Sequence, residues 1–265
     1  TSFAQPVVVD NMPGASGAIA ARAVRLAPTD GYTLLWGVSS MVALPLVQKS
    51  AALEVLADFE PISMVCQFPF GMAVNPAVPA GSIDAFVRYA RVNPGKISFA
   101  SATLSEFMAA TQFMKASGIT MTRVPYKGGA QAIPDLVAGR VQIYFTPISL
   151  LLPHMKAGQL RVLGTLLPQR TPAMPDVPTM TEAGMPGVSV PSWQAVFAPP
   201  KTPRNVVDTL SRQVALVLRD ANVAKQFDAL TLKLEPSTPE MLRAAITEDL
   251  EKWRVFIREN GISQE

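Results

Sequence analysis

Short apolar runs alternate with segments of helical period through the first two thirds of the chain, and helical period dominates the last third. Residues 6–10 (PVVVD) read as a short buried strand, followed by the turn-rich loop NMPGASG and a helix over about 18–26. APTDGYTLLWG then gives a turn and a strand at 33–36. A third strand is expected at 61–65, leading to GMAVNP at 71–76. In SIDAFVRYARVNPG, Ser82 reads as an N-cap, and Ile83, Phe86, Val87 and Ala90 fall on one helical face. Further strands are expected at 96–101 (KISFAS), 122–126, 141–145 and 160–166. Helices are expected between them at 106–117, near 131–138, and around Pro153 and His154. A Pro- and Gly-bearing excursion fills 167–191, and a strand follows at 193–197. Helices at 204–219, 221–229 and 239–259 complete the chain, with Val206, Leu210, Val214 and Val217 recurring at helical spacing.

Strand–loop–helix–strand order predicts an α/β fold with parallel strands. Four such β-units in series make a second α/β lobe. The chain's 265 residues are comfortable for two lobes. Hydrophobic residues at 49% against 16% charged allow a sizeable core, and 24 prolines imply many rigid turns. The net charge of +3 is scattered, with no basic stripe, so no nucleic-acid partner is expected. Cys66 is the single cysteine, which excludes an internal disulfide; its apolar neighbours suggest a buried thiol. No apolar run reaches 18 residues, so no transmembrane helix is indicated, and the start TSFAQPVVVD has no signal-peptide pattern.

Catalytic chemistry finds no support. His154 is the single histidine and reads as a helix-end residue, with no carboxylate or thiol cluster in register for a metal. Nothing near Cys66 would lower its pKa, and neither a dinucleotide fingerprint nor a P-loop occurs. No cofactor and no metal are expected. Binding is better supported. Four loops at predicted strand ends are rich in small residues and hydroxyls: 13–17 (PGASG), 38–40 (VSS), 101–105 (SATLS) and 127–129 (KGG). All but the serine pair run straight into a predicted helix, where free N–H groups favour an anion. Each loop taken singly also reads as an ordinary turn or cap.

The chain resembles the Bug receptors, solute-binding components associated with tripartite tricarboxylate transporters. The matching pieces run in order through nearly the whole chain: QPVVVDNMPGASG (5–17), APTDGYTLL (27–35), FEPISMV (59–65), VPYKGGAQAIPDLVAGRVQIYF (124–145), LPHMKAGQLRVLG (152–164), PDVPTMTEAGMPG (175–187) and SWQAVFAPPKTP (192–203). The resemblance implies a two-lobed periplasmic-binding-protein type II fold with two crossover strands. Ligand would lie in an interlobe cleft that closes like a Venus flytrap. It places lobe one at 1–70 and 196–265 and lobe two at 71–195. It implies a periplasmic, monomeric receptor for small organic carboxylates that meets membrane transporter subunits. It also implies a strand–helix unit ahead of QPVVV that this sequence does not carry. The loop ASATLSEFM is about one residue shorter than the family form, and Met108 stands at a common histidine. Thr146 replaces a frequent acid, which leans away from amino acids and toward simple or aromatic carboxylates.

The candidate ligand-binding residues are Ser16, Gly17, Ser39 and Ser40 from lobe one and Ser101, Ala102 and Ser105 at a lobe-two helix start. Tyr126, Lys127 and Gly128 of the YKG turn, Thr146 and Trp193 complete the set. Lys127 reads equally as solvent-facing, and Trp193 equally as core packing. Two other functions fit the same scaffold. A ligand-sensing partner of a signalling protein would share the cleft. An enzyme would need a cleft acid or base that these loops lack.

Overall fold

The computed structural model describes residues 6–12, 17–48, 53–167, 169–171 and 173–262. It divides into two compact units, one of residues 1–67 with 193–265 and one of 68–192. The first unit opens with α1 (Ala18–Arg25), β1 (Leu35–Val38), a 3-10 turn (Ser39–Val42), two single-turn helices α2 (Leu44–Val47) and α3 (Val55–Asp58), and β2 (Glu60–Gln67). The second unit holds β3 (Phe70–Val74), α4 (Ile83–Val92), β4 (Ser98–Ser101), α5 (Leu104–Ser117), β5 (Thr122–Pro125), α6 (Gly129–Val137), β6 (Ile143–Pro147), α7 (Ile148–Lys156) and β7 (Arg161–Thr165). The chain then returns to the first unit with β8 (Trp193–Ala198), α8 (Arg204–Leu218), α9 (Ala221–Ala229), β9 (Lys233–Leu234) and α10 (Pro239–Glu259).

Helix ends follow local chemistry. Ser82 caps α4 by accepting from Ala85 N, as its position before the apolar stripe predicts. Asp220 and Thr238 do the same for α9 and α10, and Pro239 occupies the first turn of α10, where no N–H is needed. At α5 a full capping box forms between Thr103 and Glu106.

In the second unit the sheet order is β5-β4-β6-β3-β7. β4 pairs in parallel with β5 and β6, while β3 runs antiparallel to both β6 and β7. Both faces are covered, and side chains alternate between them with the strand period. Phe99, Ile143 and Phe145 point to the α4/α5 face, where Phe86 and Phe113 pack. Ala100 and Tyr144 point to the α6/α7 face with Ile133 and Leu151. The Phe113 ring lies 5.4 Å from Phe145 and 6.0 Å from Phe86. Each such fully buried ring stabilises the unit by about 2–3 kcal/mol through removal from water.

The first unit has a four-stranded sheet, β1-β8-β2-β9, in which every neighbouring pair is antiparallel. Helices α8 and α10 pack on β2. The expected strand at residues 6–10 does not form. Residues 6–12 carry no strand, and Val7, Val8 and Val9 are about four-fifths exposed. A β-branched run supplies strand propensity, but a strand also needs a neighbour to pair with, and β1 is paired with β8 instead. The parallel arrangement expected for this first stretch is therefore replaced by antiparallel pairs. Short elements at 39–42, 44–47 and 55–58 were not anticipated either, being single turns without a readable period.

Candidate functional site

Parallel pairing sets Ser101, at the end of β4, beside Pro125 at the end of β5. It sets Ala100 beside Tyr144, two residues before Thr146 in β6. The loops leaving β4, β5 and β6 thus gather at one edge of the second sheet, the carboxyl edge at which α/β sheets take ligands. Tyr126 N donates to Ser101 O at 3.0 Å and ties two of these loops together.

Behind that edge lies a group the sequence reading missed. Glu106 is 2% exposed, and its carboxylate accepts from four donors. Oε2 accepts from Ala102 N at 2.5 Å and Thr103 N at 3.0 Å. Oε1 accepts from the Tyr144 hydroxyl at 2.8 Å and the Thr146 hydroxyl at 3.3 Å. Thr103 Oγ1 accepts in return from Glu106 N at 3.3 Å. The N-terminus of α6 closes over this cluster. A Cβ at Gly129 would stand 3.1 Å from the Tyr144 hydroxyl and 3.4 Å from Glu106 Oε1, a close approach that glycine makes easy. Burial raises the Glu106 pKa above its ordinary value, against the pull of its four hydrogen bonds. Donors on both oxygens suit the charged form. Burial, with Glu106 alongside, holds the Tyr144 phenol above its ordinary range. The spacing T-x-x-E at 103–106 was a readable signal for this residue.

Of the predicted residues, Ser101, Ser105 and Thr146 are buried at this edge, and Ser101 Oγ donates to Thr103 O at 3.2 Å. Ala102 N–H is already engaged by Glu106, so it is no free donor for an anion. Tyr126 is half-buried; its hydroxyl donates to Asp135 Oδ2 at 2.6 Å, and burial followed by that bond pushes its pKa up to about 12. Asp135 is held low by Tyr126 and Arg140. Lys127 is exposed, and Gly128 is the N-cap of α6.

In the first unit Gly17 is the exposed N-cap residue of α1, and Ser16 lies outside the described residues. Ser39 is buried and Ser40 half-buried, opening the 3-10 turn after β1. Trp193 is 4% exposed, and its ring centroid is 6.3 Å from that of Phe197. Its indole N–H donates to the buried Asp249 Oδ2 at 2.7 Å, which places it in the packing of the first unit. His154 lies half-buried in the last turn of α7, 2.7 Å from Gln159 Oε1. Burial raises the Cys66 thiol to about 11, as expected for an inert thiol. Among the described residues no group of three or more His, Cys, Asp or Glu could hold a metal, and no helix is long and apolar enough to cross a membrane.

Residues 1–262 match the model of the tripartite tricarboxylate transporter family receptor. The chain belongs to this family. It is 34% identical over 265 residues to Protein BugT of Bordetella pertussis, covering 98% of this chain and 81% of that protein. Among solved structures it is similar to R. palustris Rpa4515 with adipate, at 29% identity and a TM-score of 0.89, covering 97% of this chain and 87% of that one. It is also similar to the periplasmic binding protein BugD, at 28% identity and a TM-score of 0.85, covering 97% and 88%. The α/β fold read from strand–helix order is thus the fold of periplasmic binding proteins, and this family and fold are those of solute-binding proteins.

Proposed function

We propose that this chain is an extracytoplasmic solute-binding protein that captures a small organic carboxylate at its strand-end loops. It then delivers the ligand to a tripartite tricarboxylate-type transporter in the membrane. The observation that carries this reading is membership of the receptor family over residues 1–262. The adipate held by the Rpa4515 protein supports a carboxylate as the ligand class, and the periplasmic description of BugD supports the compartment. The ligand-facing set in this proposal is Ser16, Gly17, Ser39, Ser40, Ser101, Ser105, Lys127, Gly128 and Thr146, with Ala102 and Tyr126 shaping the loops of the second unit and Trp193 supporting the first. Binding proceeds without chemical turnover: the one histidine is half-buried against Gln159, with no acid or thiol partner among the described residues, and the one thiol is held protonated by burial.

A thermal-shift screen of the full chain against simple and aromatic carboxylates tests the reading. A ligand that binds the folded state alone, at a hundredfold excess over Kd, adds about 2.7 kcal/mol. For a chain of this size that raises Tm by on the order of 5 °C. A panel with no shift from any acid refutes the proposal. Ligand recovered chemically altered after incubation refutes the absence of turnover.

A further inference from the structure

The second unit carries its own anion at the place where an incoming anion would find donors. Two backbone N–H groups at the start of α5 (Ala102 and Thr103) and two hydroxyls from β6 (Tyr144 and Thr146) converge on the Glu106 carboxylate. Gly129, in the first turn of α6, packs against the same carboxylate. The positive end of α5 and four polar donors are therefore already engaged by a resident carboxylate, with the first turn of α6 packed beside it. That charge is 2% exposed, so solvent screens it weakly. A second carboxylate brought to this edge would meet like charge and find its donors occupied. A hydroxyl, amide or apolar group would meet no such repulsion.

We propose that Glu106 is the specificity-determining residue of the second unit. It excludes a carboxylate from this edge, so the ligand group received here is neutral and a monocarboxylate is preferred to the matching diacid. This rests on the receptor reading above and narrows it: the solved relative held adipate, a diacid, whereas this chain discriminates against a second charge.

The test is isothermal titration calorimetry at neutral pH with matched pairs that differ by one charge. The pairs are adipate, succinate and terephthalate, each against its own monoamide. Among pairs that bind, the wild-type chain takes the monoamide at least about tenfold more tightly than the diacid, as expected for like charges at short range. Glu106→Gln keeps the side-chain shape, can still accept from the two N–H groups, and removes the charge; in it the preference falls to about twofold or less. Tyr144→Phe removes one donor and leaves the charge, so it retains the wild-type ratio. Wild-type affinity for a diacid equal to or above that for its monoamide overturns the inference, and this measurement does not depend on any variant folding. An unchanged ratio in Glu106→Gln with its Tm retained overturns it as well, as does a ratio that collapses equally in Tyr144→Phe. Wild-type chain that binds none of the six probes fails at the receptor reading and takes this inference with it. Binding with the wrong ratio fails at Glu106 alone.

Discussion

Asp249 offers a direct test of how the first unit is held together. It lies on α10 at 6% exposure, and its Oδ2 accepts the Trp193 indole N–H at 2.7 Å. Lys252 approaches its other oxygen at 3.6 Å but also reaches Glu248 at 2.9 Å, so Lys252 does not depend on Asp249. Asp249→Ala removes the acceptor of a buried indole N–H. An unsatisfied buried donor costs about 1–3 kcal/mol. The small void left by the carboxyl group adds to this, for a loss of about 2–3 kcal/mol. Asp249→Asn keeps an oxygen for the indole and removes a charge that burial penalises, so it stays within about 1 kcal/mol of wild type at pH 7. Combined with Trp193→Phe in a double-mutant cycle, Asp249→Ala gives a coupling of about 1–2 kcal/mol. The assay is urea unfolding followed by tryptophan fluorescence. Trp36, Trp193 and Trp253 all belong to the first unit, so the signal reads that unit. The pH dependence has a definite sign. Burial raises the Asp249 pKa above its ordinary 3.8, against the pull of Trp193 and Lys252. A raised folded pKa favours the protonated folded chain, so the contribution is full below 3.8 and is lost as pH rises through the folded value. Wild type therefore gains on Asp249→Asn as the solution is acidified from neutrality toward pH 4. Asp249→Asn as costly as Asp249→Ala, or Asp249→Ala costing under about 0.5 kcal/mol, would refute the reasoning.

Two further substitutions test the packing of each unit. Gly37→Ala in β1 would put a Cβ 2.7 Å from the Phe197 ring and 3.1 Å from Met41 Sδ, and a rigid ring in a sheet cannot yield easily; a loss of about 1–3 kcal/mol is expected in the same fluorescence assay. In the second unit Asn75, 6% exposed, donates from Nδ2 to the carbonyls of Leu136 and Val137 and accepts from Ala77 N. Asn75→Asp faces those carbonyls with a charge and no donor, so it lowers stability by about 3 kcal/mol in thermal unfolding followed by far-UV circular dichroism, more than Asn75→Ala does.

What the amino-acid pattern made legible was local. The Ser82 cap, the apolar stripe of α4, and helices α9 and α10 at 221–229 and 239–259 fall where period and capping placed them, because a helix satisfies its own backbone. Four strands of the second sheet, β4 to β7, were found within two residues at each end, since each is a short apolar run bounded by turn residues, whereas β3 was read only as the GMAVNP segment after a strand. Pairing was not legible. That β8 would separate β1 from β2, and that Val7–Val9 would lack a neighbour, depends on partners far away in sequence. At the candidate site the hydroxyl loops could be read, but Glu106 could not be weighed. Its T-x-x-E spacing announces a cap, and only the fold brings Tyr144 and Thr146 to the same carboxylate.

The sheet order of the first unit also dictates a timetable. Leu35 and Pro61 both pair with Phe197, so β1 and β2 have no partner in common until synthesis has passed the whole of the second unit. Every strand of the second sheet, by contrast, lies within residues 70–165. As the chain emerges from the ribosome or a translocation channel, the later unit closes first while the earlier one waits with open strand edges. The long-range pairing of β8 is thus the slow event, and the interval before it is when unpaired edges are most exposed to aggregation.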